Sequence, residues 1–554
     1  MTRHDNNSHD NRRDNKSDQL TSPQESLQIY RAMQRGLSRR DAMKLLGAAG
    51  VLAMGVGGVP GLSPAFAAEG EASPQRGGRI RVAAHSSSTK DSLDPAQGST
   101  AIDYCRAYMF YNGLTQFDPD LRPQPCLAES FETTDNGSHW IFVLRQGVTF
   151  HDGKALTPQD VIYSIMRHKE PAVGSKVLSM VEQIESIRAL DQRRVEFNLS
   201  SPNIELPSIL AVSHLVIVAD GTQDFSKGNG TGAFRCQEFS PGVRSVGVRN
   251  ENYWREGYPY LDAIEMVGIS DESSRVNALL SGDVQMINNL SGNFAERIKQ
   301  SDNGLLKATN SGNYTDLVMR FDQQPTSRPA FREAMKCLFD REQIKRVALR
   351  GYGEIANDQP IAPGTPYYFD GLPQREYDPE RAASLLKQAG VAGATVPLVA
   401  SPAANYSEDM AVLLQQSAAA AGLKLNINRV PADGYWSNHW MKHPLGFGNI
   451  NPRPTANILL SQFFLSSAAW NESGWKNAHF DQLVVAARGE PDEAKRKQMY
   501  ADMQTLIHDE GGIGIPVFLS DLEGYDSRIG GMDRTVPLGS FMGYLFAEYV
   551  WWKG

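Results

Sequence analysis

The sequence predicts an α/β protein with mixed sheets, built as two units of similar character, and three observations predict it. From Gly77 onward short β-favouring runs alternate with helical stretches, several helices carry explicit start and stop signals, and a strand, a helix and a second strand follow one another through short loops. Of 554 residues, 41% are hydrophobic and 21% charged, the mixture of a chain that buries a sizeable core. A net charge of -8 is the wrong sign for a partner with a phosphate backbone, so nucleic acid is excluded as the main ligand.

The first element is an address. After a polar stretch with no apolar periodicity, Ser38-Arg39-Arg40-Asp41 precedes an uncharged run over residues 45–59 and a small-residue site at Ala65-Phe66-Ala67. Charged region, apolar region and A-x-A site describe an export signal, and the paired arginines specify the twin-arginine translocase. The run is too short and too rich in glycine to span a membrane, which takes about 20 apolar residues. Cleavage after Ala67 removes nine Lys or Arg and six Asp or Glu, so the exported part is more acidic than the whole. No cysteine lies near that site to carry a lipid, and a soluble, periplasmic monomer is expected. Cys105, Cys126, Cys236 and Cys337 are all in the exported part. They are either free thiols or include one bridge, because folding before export happens in a reducing cytosol.

Trp140 to Arg145 is apolar on both faces and reads as a buried strand, a second short strand ends at Phe150, and Asp152-Gly153 turns the chain. Thr157-Pro158-Gln159-Asp160 then opens a helix with a hydroxyl cap, a proline at the first position and an acid at the third. Phe331, Ala334, Met335 and Leu338 make one apolar stripe at i, i+3, i+4 and i+7. Asp378-Pro379 opens another helix and Gly390 closes it. Thr395 to Ala400, a helix around Met410 to Ala421, and alternating Leu423, Leu425 and Ile427 form a strand-helix-strand unit, which implies parallel strands with a right-handed crossover.

Enzyme signatures are missing where they would be expected. There is no G-x-S-x-G elbow, no H-E-x-x-H pair and no Walker loop. Gly228-Asn229-Gly230-Thr231-Gly232-Ala233 fits G-x-G-x-x-A but is followed by a strand pattern, not the helix a dinucleotide site needs. Ser87-Ser88-Thr89-Lys90 with Ser301-Asp302-Asn303 suggests a serine acyl transferase, yet the K-T-G element is absent and the serine sits in a loop. His439 and His443 are an i, i+4 pair with no carboxylate third ligand, and Pro444 ends their helix, so no metal site and no cofactor are expected.

Tyr435, Trp436, Trp440, Trp470 and Trp475 crowd the second half. Between them runs Asn449-Ile450-Asn451-Pro452-Arg453-Pro454-Thr455, a loop stiffened by two prolines. A guanidinium beside rings that exclude water suits a carboxylate, so Arg453 is either a ligand-holding group or a solvated one. Glu472 is either a partner for a ligand amine or exposed.

Several blocks resemble the family 5 extracellular solute-binding proteins, receptors of bacterial ABC importers for peptides, nickel and opines. Leu127-Ala128-Glu129-Ser130-Phe131-Glu132 through Trp140, Leu144-Arg145-Gln146-Gly147-Val148-Thr149-Phe150-His151-Asp152-Gly153 and Thr157 to Val161 carry the first match. Gly230 to Phe234, Arg249 to Trp254, Asp271 to Asp283, Phe331 to Glu342 and Tyr377 to Gly390 continue it in order. The resemblance implies a two-lobed periplasmic binding protein fold of cluster C type: lobe I over residues 77–310 with a sub-lobe at about 112–225, lobe II over 311–521, and a C-terminal return over 522–554. The hinge falls near Asn310 and Leu522, closure on the ligand presents the protein to an inner-membrane permease with its cytoplasmic ATPase, and no covalent chemistry is required.

One departure changes the expected ligand. Peptide receptors of this family usually carry an Asp-x-x-Asp-Pro type loop whose acid grips the α-amine, whereas here asparagines and Arg453 stand in its place. The site implied is Arg453, Asn451, Trp436, Trp440, Trp470 and Glu472 from lobe II with His85, Ser86, Tyr111 and Asn112 from lobe I, holding a carboxylate-bearing solute such as a short peptide, an opine or a related amino-acid derivative. A metal chelate is the alternative.

Overall fold

A computed structural model describes residues 73–553. The export-signal reading over residues 1–67 therefore lies outside the described residues. One hydrogen-bonded sheet runs through the molecule in the order Lys424–Arg429, Thr395–Ala400, Leu445–Ile450, Gly304–Met319, Val517–Asp526, Met286–Ile287, Arg79–Ala84, Ala263–Gly268, Arg244–Arg249 and Phe234–Ser240. Its pivot is the antiparallel pair of the two longest strands, Gly304–Met319 and Val517–Asp526, which belong to both halves. Their register shifts between Asn310 and Asn313, leaving Ser311 and Gly312 as extra residues, and Gly312 adopts φ 77°, a value that glycine takes at little cost.

Each half packs its own core. In the second half Leu317, Phe331, Met335, Leu398 and Leu414 are buried together, and each such side chain contributes about 1.5–3 kcal/mol on leaving water. In the first half Ile80, Val82, Ile264 and Met266 pack with Ile529, Phe541, Phe546 and Val550, so the C-terminal residues close the core that the first strand opens. A smaller separate core, with Phe142, Val161, Phe197 and Leu206, lies under the four-stranded sheet of Ala128–Thr134, His139–Leu144, Arg194–Leu199 and Ile184–Ala189.

Local signals explain the element ends. Asp160 Oδ2 accepts the Thr157 backbone N–H at 2.8 Å and starts the helix Pro158–Met166, while Asp378 Oδ1 accepts the Arg381 N–H at 2.8 Å and starts Pro379–Gln388. Thr395–Ala400 and Lys424–Arg429 pair in parallel around the helix Ser407–Ala420. Three readings need correction. His139–Leu144 buries one face only, because Ile141 and Val143 stay half exposed on the outer side of the small sheet. The segment ending at Phe150 forms only an isolated bridge from Thr149 to Ala155. The helix expected to carry His439 and His443 stops at Asn438, although the two rings still stack, with Nδ1 of one 3.2 Å from Nε2 of the other. All four cysteines are free thiols, and Cys105, Cys126 and Cys337 are buried. No described helix is long and apolar enough to cross a membrane.

Candidate functional site

The loop after Leu445–Ile450 is held from both sides. Pro452 and Pro454 restrict its backbone, and Thr455 Oγ1 accepts the Ile458 N–H at 3.2 Å, capping the helix Ala456–Phe463. Arg453 is thereby fixed: its Nε donates to Gln462 Oε1 at 2.7 Å, its Nη1 donates to the Asn451 carbonyl at 2.9 Å, and its guanidinium carbon sits 5.0 Å from the Phe463 ring centre. No carboxylate forms an ion pair with it among the described residues. Burial lowers its pKa from the usual arginine value, with Tyr314 and Tyr104 pulling the other way, and a guanidinium in such surroundings remains charged.

Arg453 lines a cavity of about 660 Å³ whose walls come from every part of the fold. Glu205 and Ser208 belong to the small sub-lobe, Ser311 and Gly312 to the bulge on the crossing strands, and Ile361, Tyr367, Arg453 and Arg496 to the second half. That volume suits a small molecule. The halves touch around it: the Tyr500 hydroxyl donates to Glu205 Oε1 at 3.0 Å, and the Ile204 N–H donates to the Arg488 carbonyl at 3.0 Å. Burial pushes the Glu205 carboxyl up, while the hydroxyls of Thr455 and Tyr500 pull it down.

The remaining residues named from sequence fall into three groups. Asn451 is exposed and takes part through its carbonyl; Trp470, 46% exposed, packs on Phe463 at 5.6 Å, so Phe463 touches both it and Arg453. Trp436, 43% exposed, stands edge-on to Trp440 at 5.6 Å. In the first half, His85 and Ser86 are half-buried after the opening strand, and the His85 N–H donates to Asn288 Oδ1 at 2.9 Å. Burial and the charge of Arg275 lower the His85 pKa. Tyr111 and Asn112 are committed to the interior instead. The Tyr111 hydroxyl donates to the Leu93 carbonyl, and Asn112 Oδ1 accepts from Thr231 Oγ1 at 3.1 Å and Trp254 Nε1 at 3.0 Å. With these groups satisfied and both residues buried, they brace the strand-to-loop junction and present nothing to the cavity.

Glu472 is also enclosed, contrary to the expectation of an acid reaching for a ligand amine. It is 4% exposed, accepts the Trp440 indole N–H at 2.6 Å, and lies against Asp316 in space left by Gly448. A Cβ at Gly448 would meet Glu472 Oε1 at 2.1 Å and Asp316 Oδ1 at 2.7 Å. Burial first, then the Asp316 charge, pushes the Glu472 carboxyl well above the usual range, and burial pushes Asp316 up to about 6. Trp440 is thus a prop for this acid pair.

Sequence reading passed over Glu205, Tyr367 and Arg496, which line the cavity together with Arg453. Their approach to Arg453 is set by the tertiary fold, so no local spacing signals them.

Two lobes joined by long crossing strands, with a fixed unpaired guanidinium on a cavity between them, define a two-lobed binding protein of the periplasmic, cluster C type. The chain belongs to the bacterial extracellular solute-binding proteins, family 5, whose family model, described as the middle part, matches residues 122–472. It is 26% identical over 439 residues to the glutathione-binding protein GsiB of Pectobacterium atrosepticum, covering 76% of this chain and 85% of that protein. Among solved structures it resembles the ABC transporter-associated periplasmic binding protein DppA of Helicobacter pylori in complex with the peptide STSA. The TM-score is 0.70 and the identity 22%, over 86% of this chain and 99% of that one. NikZ of Campylobacter jejuni in complex with Ni(L-His) gives a TM-score of 0.71 at 19% identity, over 85% and 99%. Members of this family are solute-binding receptors.

Proposed function

We propose that this chain is the periplasmic receptor of an ABC importer and captures a small carboxylate-bearing solute, a short peptide, an opine or a related amino-acid derivative, for delivery to the membrane permease. The single observation that carries the reading is Arg453: a guanidinium fixed by Gln462 and Asn451, backed by Phe463, facing a cavity shared by both lobes and lacking an acidic partner among the described residues. A desolvated cation of this kind is satisfied by an anion brought from outside, and a carboxylate matches its planar fork. The peptide bound by DppA and the glutathione named for GsiB both carry carboxylates, which agrees with this choice.

Binding energy goes into closure, not into chemistry. Contacts such as Tyr500 to Glu205 join the lobes across the cavity, and a ligand that bridges the lobes stabilises that arrangement by its differential affinity for it. Export through the twin-arginine route, a soluble periplasmic location without a lipid, and a monomeric state complete the proposal; they rest on the N-terminal pattern and the family. A metal-chelate cargo has one observation in its favour, the stacked His439 and His443. Mass spectrometry of small molecules released on denaturing the purified protein tests the choice: a carboxylate-bearing organic solute is expected, and a nickel chelate would replace the reading.

A further inference from the structure

The second half of the molecule holds another cavity, of about 860 Å³, which shares no lining residue with the one at Arg453. The two are served by opposite ends of the helix Glu493–Glu510: Arg496 lines the first and His508 the second, roughly 18 Å apart along a helix axis. The floor of the second cavity is basic. Arg332 and Lys336, one turn apart on the helix Pro329–Cys337, both line it and are 7% and 2% exposed. Two like charges at this spacing repel, and burial removes the water that would screen them.

Neither cation forms an ion pair with a carboxylate among the described residues. The Arg332 guanidinium carbon sits 3.8 Å from the Phe321 ring centre, and its Nη1 donates to the Thr326 carbonyl at 2.9 Å. Its Nε and Nη2 have no hydrogen-bond partner among the described residues, yet they are not sealed from solvent. Lys336 Nζ donates to the His508 carbonyl at 2.9 Å and the Ile507 carbonyl at 3.4 Å, at a helix end that offers only about half a negative charge. Arg375, a third cation on the wall, shares Asp358 with Arg341, so one buried acid answers two guanidiniums. Burial lowers the Arg332 pKa to about 10 and that of Lys336 to about 8, with Asp358 pulling Lys336 the other way.

The acids on the same wall are engaged or solvated. Glu333 pairs with Arg381, Asp509 Oδ1 lies 2.6 Å from His508 Nδ1, Asp378 caps its own helix, and Glu376 and Glu510 are exposed. Meeting the helix end accounts for Lys336 alone. Arg332, with two free donors and no acid, is left for a group from outside.

We propose that this cavity is a second ligand site, which takes the phosphate group of free phosphate or of a small phosphate ester, with Arg332 presenting its fork and Lys336 a point charge. A doubly charged oxyanion answers both cations and offers several acceptor oxygens, whereas a single carboxylate answers one charge. All of the lining falls within residues 321–511, between the two crossing strands in sequence, so the site is complete in the second half and needs no closure of the lobes.

The test is titration calorimetry of the purified protein at constant ionic strength, with inorganic phosphate, glycerol phosphate and acetate as probes. At least one phosphate probe is expected to saturate, the tighter of the two telling free phosphate from an ester, with acetate weaker by about tenfold or more. Arg332→Met, which still covers Phe321 but carries no charge, should weaken the phosphate probe by about tenfold or more; Arg332→Lys, which keeps the charge, should lose less. Arg453→Ala, at the cargo cavity, should leave phosphate affinity within about twofold of the wild type. Diffraction from crystals grown with the phosphate probe gives a check that needs no variant: its oxygens are expected within hydrogen-bond distance of Arg332 and Lys336. The inference is overturned if neither phosphate probe saturates, if acetate binds as tightly, if Arg332→Met leaves the affinity unchanged, or if the anion is found elsewhere; the Arg453 reading stands in each case.

Discussion

Replacing Glu472 by glutamine should change how the stability of the protein depends on pH. In the native fold Glu472 and Asp316 crowd above Gly448, with the Trp440 N–H bonded to Glu472 and neither Asp316 oxygen hydrogen-bonded to a partner of standard geometry. Burial raises both carboxyls, Asp316 to about 6 and Glu472 further, so the folded state holds protons that the unfolded chain releases near pH 4. A raised folded pKa means that the stabilisation is complete below the unfolded value and is lost as pH rises toward the folded one. Each retained proton tilts stability downward by about 1.4 kcal/mol per pH unit. Glu472, raised by burial and by the Asp316 charge, therefore adds to the loss of stability as pH rises above the unfolded value. Glutamine keeps the acceptor for Trp440, cannot titrate, and brings an N–H toward Asp316. Urea denaturation at pH 5 and pH 7 should therefore show Glu472→Gln losing less stability than the wild type over that interval, by at most about 1.4 kcal/mol for each pH unit in which the folded protein keeps that proton. Parallel losses in the two proteins would show that Glu472 is not the group holding the proton.

Other outcomes follow from the same geometry. Arg453→Ala should weaken a carboxylate ligand by about 1.5–3 kcal/mol, read as a Kd increase of roughly 10- to 150-fold by calorimetry; unchanged affinity would remove Arg453 from the site. Tyr500→Phe removes the hydroxyl that joins the lobes at Glu205 and should cost about 0.5–1.5 kcal/mol of ligand affinity through the closed state, with solution scattering of the ligand-free protein shifted toward a larger radius of gyration. Asp358, fully buried and paired with Arg341 at 2.8 Å and Arg375 at 2.9 Å, has a carboxyl lowered by those charges against the cost of burial. Its contribution is present above the unfolded value near pH 4 and lost in acid, and Asp358→Asn should destabilise by about 3–5 kcal/mol at pH 7 in thermal or urea melts.

How far the sequence could be read depended on the range of the forces involved. The cap at Thr157 and Asp160 and the cap at Asp378 act within three residues, so spacing alone predicted where those helices start. The outer face of His139–Leu144 was misread because whether a β-branched residue is covered depends on what packs on the sheet, and there Ile141 and Val143 are covered only in part. Arg453 could be singled out because its restraints, Asn451, Pro452, Pro454 and Gln462, are its neighbours along the chain. Tyr111 and Asn112 could not be separated from ligand groups, since Leu93, Thr231 and Trp254, which satisfy them, are distant in sequence.

The amino-acid order by itself determined the α/β class, the helix boundaries set by caps, the family and the arginine loop, because each is written in residues a few positions apart or in an ordered series of short blocks. Only the tertiary structure decided the state of the acids. Glu472 is closed in by Asp316 and Trp440, 156 and 32 residues away along the chain, whereas Glu205 comes to line the cavity where the small sub-lobe meets the second half at Tyr500. Whether a carboxylate is a prop or a contact depends on the water and charge around it, and those are assembled only when the chain has crossed twice between its lobes.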